Sequence, residues 1–271
     1  MSTVLDDLLA PRSAASRPAV FIDHTAFGGH RILRGPIPWT NAAELAGYYG
    51  KAQALLGSDA TVVPVALLVD AVLAENPSIR ADMAARPRPG YALRTLLAAD
   101  PIREALSRAL AALPHASRAP IALLAPSPLV WLALAQRAAG NPDVSGITAD
   151  HAEAAAMYVS DWLRHVADRD IAFLVLDGSR DLEGDPGALE RLPEEDLAAY
   201  APVANAAEHY RWGLIHVADG GSGADSSPRA RRLPEGYWTD DAAAPEADIL
   251  LARVPADADP ETVLARLAAL R

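Results

Sequence analysis

The stretch "IAFLVLD" at residues 171–177 places six apolar residues in front of Asp177, and Gly178 follows directly. A strand that is apolar on both faces is typical of a parallel sheet covered by helices. Five further runs have a similar character: "AVFID" (19–23), "ATVVPV" (60–65), "PIALLAP" (120–126), "GLIHVAD" (213–219) and "ADILLARV" (247–254). These runs predict an α/β fold with parallel strands.

Amphipathic helices are predicted between these strands. In residues 150–168, "DHAEAAAMYVSDWLRHVAD", apolar residues recur at spacings of three and four. Residues 100–113 and 259–271 both begin with Asp-Pro, a common helix start. Strands that alternate with helices call for βαβ units with right-handed crossovers. Six clear strands, one or two weaker ones and no early Gly-rich nucleotide turn favour a (β/α)₈ TIM barrel over an open sheet.

Length and composition predict one folded domain. The chain has 271 residues, of which 51% are hydrophobic and 22% charged, and this composition is typical of globular proteins. We predict a single domain over residues 1–271, with residues 1–18 as an N-terminal extension. Polar, turn-rich insertions at residues 182–196 and 220–234 each follow a strand, which on a barrel places them at the carboxyl-terminal face.

Charge and residue usage exclude several classes of site. The formal net charge is −11, so nucleic acids and anionic membrane surfaces are disfavoured as partners. The absence of cysteine excludes thiolate zinc sites, iron–sulfur clusters, cysteine nucleophiles and disulfides, and leaves other cofactors open. No stretch has the length of a signal peptide core or a membrane span, so a cytoplasmic location is expected. Whether the chain forms a homo-oligomer stays open at this point.

The central and C-terminal parts resemble the superfamily of uroporphyrinogen decarboxylase and cobalamin-independent methionine synthase, whose members are TIM barrels. The likeness extends over roughly residues 92–271. Four stretches carry it: "LRTLLAADPIREALSRALAALPHASRAPIALLAPSPLVWLALA", "ADHAEAAAMYVSDWLRHVADRDIAFLVLDG", "YAPVANAAEHYRWGLIHVADG" and "ADILLARVPADADPETVLARLAALR". The resemblance implies a lyase or group-transfer enzyme that acts on a carboxylated small molecule at the mouth of the barrel.

Two departures from the family pattern limit what it implies about the site. The methionine synthase members bind zinc through His and Cys, and a chain without cysteine does not reproduce that site. The decarboxylase members hold substrate carboxylates with an Arg-rich N-terminal stretch. Here "GGHRILRGP" (28–36) offers His30, Arg31 and Arg34 in a comparable region without matching the motif. We expect these three residues to bind substrate.

Asp177 is the first candidate for a catalytic residue. It ends a central strand, and the carboxyl ends of barrel strands are where catalytic residues lie. A carboxylate in a partly apolar mouth can move protons or orient a cation. The alternative is an Asx turn that ends the strand before Gly178.

Two histidines near strand ends are further catalytic candidates. His216 lies within "GLIHVAD" and His24 directly follows "AVFID", and either could act as a general acid or base. His24, His216 and Asp219 are also candidate ligands of a hard metal, although their spacing matches no metal motif. The alternative for His216 is a core histidine hydrogen-bonded to a neighbouring strand.

Tyr237 and Trp238, in "EGYWTDD", could form an apolar wall for a flat ligand, or pack against the barrel rim.

The leading functional hypothesis is a lyase or group-transfer enzyme in which Asp177 with His216 or His24 moves protons while Arg31 and Arg34 hold a carboxylate. The alternatives are a barrel that has lost catalysis and serves as a binding or scaffold subunit, and a methyltransferase with a non-thiolate metal site.

Overall fold

The computed structural model of the chain describes residues 4–9, 17–180, 187, 189–217, 228–240 and 242–271; within 4–9, it describes the side chains of residues 5, 8 and 9. The strands are β1 (Ala19–Asp23), β2 (Thr61–Pro64), β3 (Ile121–Pro126), β4 (Ile171–Asp177), β5 (Gly213–Val217), β6 (Ala230–Arg232) and β7 (Ile249–Arg253).

The described helices alternate with these strands for most of the chain. They are α1 (Val4–Leu9), α2 (Thr25–Gly28), α3 (Ala42–Leu56), α4 (Val65–Glu75), α5 (Pro77–Ala84), α6 (Tyr91–Ala98), α7 (Asp100–Ala112), α8 (Pro128–Ala138), α9 (Asp150–Leu163), α10 (Ala201–Tyr210), α11 (Gly236–Thr239) and α12 (Pro260–Ala269). A π-helical turn, Gly29–Leu33, continues α2, and short 3₁₀ turns lie at Leu113–His115, Arg164–Val166 and Leu197–Tyr200.

All strand pairs are parallel, and they form two sheets. One sheet has the order β1-β7-β6 and the other the order β2-β3-β4-β5. An isolated parallel bridge between Phe21 and Ala60 links β1 to the start of β2, and β5 lies beside β6. The predicted α/β class with parallel strands is confirmed. No closed barrel is found among the described residues.

A single apolar cluster takes alternate residues from every described strand. Its members are Ala19, Phe21, Ala60, Val62, Ala122, Leu124, Phe173, Val175, Ile215, Val217, Ala230, Ile249 and Leu251. Strand residues of the opposite parity, such as Leu174 and Leu176, belong to a larger cluster that they share with the helices. Because side chains alternate along a strand, each strand has an inner face toward the first cluster and an outer face toward the helices.

Helix α1 covers the inner cluster at the amino ends of the strands. Leu5, Leu8 and Leu9 pack against that cluster. The approach is closest at Gly213, the first residue of β5, where an added Cβ would lie 3.1 Å from the Cβ of Leu5 and 2.9 Å from the Cδ1 of Phe173. The absence of a side chain at Gly213 therefore makes room for α1.

The observed elements match the sequence pattern closely except at β6. The predicted strands at 19–23 and 171–177 have the observed bounds, and the predicted helices at 100–113, 150–168 and 259–271 are present with slightly earlier ends. The three residues of β6 lie inside a segment that the sequence pattern assigns to a polar insertion. Among the described residues, no helix has both the length and the hydropathy that a membrane span requires.

Candidate functional site

Four strands end in a charged residue on the inner face. Asp23 ends β1, Asp177 ends β4, Arg232 ends β6 and Arg253 ends β7. Each lies two residues after a member of the inner cluster, so its side chain has the same parity and lies above the apolar interior at the carboxyl ends of the strands. We call these four residues the inner charged layer.

Asp23 and Arg253 form the first ion pair of this layer. They are partners in the β1–β7 register, and Arg253 Nε lies 3.4 Å from Asp23 Oδ2. Asp23 Oδ1 accepts hydrogen bonds from the Thr25 backbone N–H (3.1 Å) and hydroxyl (2.6 Å), whereas no described residue donates one to the buried Oδ2. Asp23 is 2% exposed, whereas the Arg253 side chain is 47% exposed. Arg253 thus extends from a buried carboxylate toward solvent.

Asp177 and Arg232 form the second ion pair. Asp177 Oδ1 accepts hydrogen bonds from Arg232 Nη2 and from the Ser179 backbone N–H, the latter at 2.9 Å. No described residue donates a hydrogen bond to Asp177 Oδ2. Asp177 therefore has one oxygen fixed by protein donors and one that is available as an acceptor at the end of the strand.

A second polar cluster lies on the outer face at the same end of the sheet. Glu195 Oε1 accepts hydrogen bonds from the Ser127 hydroxyl and the Tyr200 hydroxyl (2.6 Å), and Glu195 Oε2 lies 2.9 Å from His216 Nε2. His216 lies between two inward residues of β5 and therefore points outward. We call Ser127, Glu195, Tyr200 and His216 the Glu195 network.

The electrostatics of the Glu195 network favour a single protonation pattern. Burial by itself would raise the pKa of Glu195, but hydrogen bonds from His216, Ser127 and Tyr200 outweigh burial and lower that pKa. Burial and the charge of Glu195 raise the pKa of Tyr200, which keeps its hydroxyl protonated as a donor. Since an ionised carboxylate only accepts, His216 Nε2 carries the proton toward Glu195.

Gly178 gives the Glu195 carboxylate its space. A Cβ added at Gly178 would lie 2.3 Å from Glu195 Oε2, far below a normal contact. The Gly178 backbone N–H also donates to the Val217 carbonyl oxygen at 2.8 Å. The glycine after Asp177 thus lets the Glu195 network approach the backbone directly beside the inner charged layer.

His24 lies in a separate buried cluster. It is 3% exposed, and its Nδ1 is hydrogen-bonded to the Tyr48 hydroxyl at 2.7 Å. The rings of Tyr48 and Tyr49 both contact the imidazole edge-on. Burial lowers the pKa of His24 to about 4, against the opposing charge of Asp23, so the imidazole is neutral near pH 7.

The predicted substrate-binding residues divide into two places. His30, Arg31 and Arg34 line one solvent-open cavity of about 640 Å³ together with Gly29 and Gly35. Tyr237 and Trp238 are buried in α11 and pack in a cluster with β1, β7 and α12, where the Tyr237 hydroxyl donates to the Arg266 carbonyl oxygen at 2.9 Å. The structure does not place them in the inner charged layer.

The predicted metal ligands are not brought together. His24 and His216 belong to the two separate clusters described above, and Asp219 lies outside the described residues. Within the described part of the chain, no group of three or more His, Cys, Asp or Glu side chains is arranged to hold a metal ion.

Comparisons with protein-family models, curated proteins and solved structures find no match.

Sequence reasoning singled out Asp177 and His216 but missed Arg253, the partner of Asp23, and Glu195, the partner of His216. The position of Arg253 could have been predicted, because in "ADILLARV" it has the same parity as the inward residues Ile249 and Leu251. Glu195 had no comparable signal, because it lies between secondary-structure elements where no periodicity predicts a direction. Its role depends on contacts with residues distant in sequence, such as Ser127, 68 positions away.

Proposed function

We propose that the chain is an enzyme that transfers protons to and from a small carboxylated substrate, as a lyase or group-transfer enzyme, at the inner charged layer. The observation that carries the proposal is the arrangement of Asp177, whose Oδ1 is held by Arg232 and Ser179 while Oδ2 has no described donor. Such a carboxylate is oriented yet retains an oxygen that can accept a proton.

The proposal includes one barrel of the (β/α)₈ type, similar to the uroporphyrinogen decarboxylase and methionine synthase group. Three observations support it: the inner cluster draws on every described strand, the Phe21–Ala60 bridge links the two sheets, and β5 lies beside β6. In such a barrel the four charged strand ends surround the carboxyl-terminal mouth, where the residues of catalysis are expected.

Arg253 supplies the carboxylate anchor in this proposal. Its Nε is directed at Asp23, and its terminal Nη1 and Nη2 groups have no hydrogen-bond partner among the described residues. A guanidinium with both terminal groups available binds a carboxylate through two parallel hydrogen bonds. The half-exposed position of Arg253 lets it make this contact with a ligand from solvent.

The roles predicted for His216 and His24 receive less support from the geometry. His216 points away from the inner charged layer and is held by Glu195, and His24 is neutral and buried beside Tyr48. The proposal therefore assigns proton transfer to Asp177. His30, Arg31 and Arg34 line a cavity of their own and remain a predicted substrate-binding set.

A thermal-shift titration with mono-, di- and tricarboxylates tests the proposal. A ligand at about 100 times its dissociation constant stabilises the folded state by about 2.7 kcal/mol. We expect stabilisation by at least one carboxylate in the wild type and its loss in Arg253→Ala. Arg229→Ala is the matched control, because Arg229 has a similar exposed fraction, 43%, but pairs with Glu246 and Asp248 instead. Equal loss in both variants would remove Arg253 as the anchor.

A second candidate function is ligand binding without catalysis. Both inner carboxylates already hold an arginine, and such ion pairs can close a mouth that has lost its chemistry. The two candidate functions differ in turnover, which mass spectrometry of the incubated mixture measures. Binding alone is favoured if a carboxylate stabilises the wild type but is not converted during the incubation. Conversion that is lost in Asp177→Asn favours the enzyme.

A further inference from the structure

We propose that the cavity lined by His30, Arg31 and Arg34 is a binding site for the phosphoryl group of a small phosphorylated molecule. The site is separate from the inner charged layer, and the inference does not depend on the proposed function. The cavity measures about 640 Å³, which is within the usual range for small-molecule sites and exceeds what inorganic phosphate needs. We call it the basic cavity.

The charge of the basic cavity is unusual for this chain. The protein has a formal net charge of −11, yet two guanidinium groups and an imidazole line the cavity together. No described carboxylate lies within ion-pair distance of any of the three. Elsewhere, exposed arginines such as Arg108 and Arg164 pair with an acid three or four residues earlier in the chain. The pKa of Asp259 is lowered by hydrogen bonds from Thr262 and also by the charge of Arg31, so the charge of Arg31 is balanced in part. The three side chains nevertheless form no ion pair with a described residue, and their combined positive charge favours an anionic ligand.

Arg31 is held in place by the main chain. Its Nη2 donates hydrogen bonds to the carbonyl oxygens of Asp257 (2.6 Å) and Ala258 (3.1 Å), in the connection that follows β7. The other guanidinium nitrogens have no hydrogen-bond partner among the described residues. A guanidinium fixed on one side and open on the other loses less side-chain entropy when it binds an anion.

The backbone around the basic cavity is also specialised. Arg34 has φ 54° and ψ 40°, a left-handed conformation that is uncommon and costly for residues other than glycine. The segment before it is a π-helical turn, and such turns occur frequently at functional sites. A left-handed residue commonly ends a helix, and Arg34 is the cap of the π-helical turn. Together the turn and its cap bring the side chains of residues 30, 31 and 34 to one cavity.

The number of donors favours a phosphoryl group over a carboxylate. One guanidinium suffices to bind the two oxygens of a carboxylate. A phosphate monoester carries close to two negative charges and three acceptor oxygens, which matches two guanidinium groups and an imidazole. The remaining volume of the cavity then holds the organic part of the ligand.

Isothermal titration calorimetry at constant ionic strength tests the assignment, with inorganic phosphate, glycerol 3-phosphate and the dicarboxylate malonate as probes. We expect Arg253→Ala, which lacks the proposed carboxylate anchor, to bind glycerol 3-phosphate more tightly than malonate. We expect Arg34→Gly to weaken the binding of glycerol 3-phosphate by at least about tenfold relative to the wild type. Glycine accepts the left-handed backbone, so this variant removes the side chain without adding strain.

Arg211→Gly is the matched control. Arg211 is the other described non-glycine residue with positive φ, 62°, and it is exposed at the C-terminus of α10, away from the basic cavity. We expect Arg211→Gly to bind the phosphates as the wild type does, and Asp177→Asn to do so as well.

Three results would overturn the inference: no binding of either phosphate, malonate bound by Arg253→Ala as tightly as glycerol 3-phosphate, or equal weakening by Arg34→Gly and Arg211→Gly. None of these results bears on carboxylate binding at Arg253, so the inference and the proposed function can fail separately.

Discussion

The inner charged layer and the Glu195 network lie at the carboxyl ends of the strands, on opposite faces, and differ in how many of their carboxylate oxygens accept hydrogen bonds. Leu176 pairs with His216 in the β4–β5 register, and Asp177 pairs with Val217 one residue later. That single step along the strand changes the face. On the inner face Asp23 Oδ2 and Asp177 Oδ2 have no described donor, whereas on the outer face both oxygens of Glu195 are occupied.

This difference in hydrogen bonding suggests different roles for the carboxylates on the two faces. A buried carboxylate that accepts hydrogen bonds from Ser127, Tyr200 and His216 joins β5, the start of α8 and the turn before α10, so it stabilises the fold. A carboxylate with an available oxygen near solvent can act on a ligand. The same residue type therefore serves stability on one face and, as we propose, chemistry on the other.

The largest effect is expected from removal of the Glu195 carboxylate. Glu195→Ala leaves three buried donors without an acceptor, and we expect a loss of about 3–5 kcal/mol in the free energy of unfolding, measured by urea denaturation. Glu195→Gln keeps an acceptor, and a neutral His216 can change tautomer to receive the amide N–H, so its loss should be about 1–2 kcal/mol. A loss below about 1 kcal/mol for Glu195→Ala would contradict the stabilising role.

The buried His24 predicts a pH dependence of stability. Its pKa is about 4 in the folded protein and 6.5 for the ordinary group, so between these values the unfolded chain binds a proton that the folded chain does not. Stability therefore falls as the pH is lowered through this window, by about 3 kcal/mol in total. Urea denaturation across the window measures the effect.

The control for this prediction is His24→Asn, which keeps a hydrogen-bonding group near Tyr48 and does not titrate. Its stability should fall less steeply than that of the wild type between about pH 6.5 and about pH 4. Parallel curves for the two proteins would show that His24 is not responsible for the acid sensitivity.

Gly178→Ala tests the close contact between the Glu195 carboxylate and the backbone, because it adds one methyl group beside that carboxylate. The new Cβ would lie 2.3 Å from Glu195 Oε2, so the carboxylate must move and the network weakens. We expect a loss of about 1–3 kcal/mol by urea denaturation. Gly47→Ala, at an exposed α3 position with no atom within 4 Å of the added Cβ, should instead be neutral or stabilise by up to about 1 kcal/mol. Similar values for both variants would argue against a tight contact at Gly178.

The smallest effect on stability is expected at Asp177. In Asp177→Asn the amide oxygen can still accept hydrogen bonds from Arg232 and Ser179, so the free energy of unfolding should change by about 1 kcal/mol or less. Urea denaturation beside Glu195→Ala gives the comparison. A loss as large as that of Glu195→Ala would mean that both faces serve stability alone.

Much of the fold was predictable because continuous apolar runs mark buried parallel strands. The runs that contain β1 and β4 end at the observed residues, and alternation along "ADILLARV" would have placed Arg253 on the inner face. Strand β6 was not predictable, since "ARR" is short, mostly charged and flanked by turn residues. It is a strand because it pairs with β7, a contact that local sequence does not specify.

The site was predictable only where a strand fixes the direction of a side chain. The inward direction of Asp177 follows from its place at the end of β4. Side chains alternate along a strand, however, and His216 lies between two inward residues of β5, so it points outward although it is near a strand end. Glu195 reaches the network from a segment without regular structure, and its partners are set by tertiary contacts.

The most direct test of the difference between the two faces is the stabilisation of Arg253→Ala and Glu195→Gln by a carboxylate that binds the wild type, measured by thermal shift. The account predicts that Glu195→Gln unfolds at a lower temperature but keeps the full ligand-induced shift, whereas Arg253→Ala loses the ligand-induced shift. A full shift in Arg253→Ala together with its loss in Glu195→Gln would contradict the account and place the ligand on the outer face.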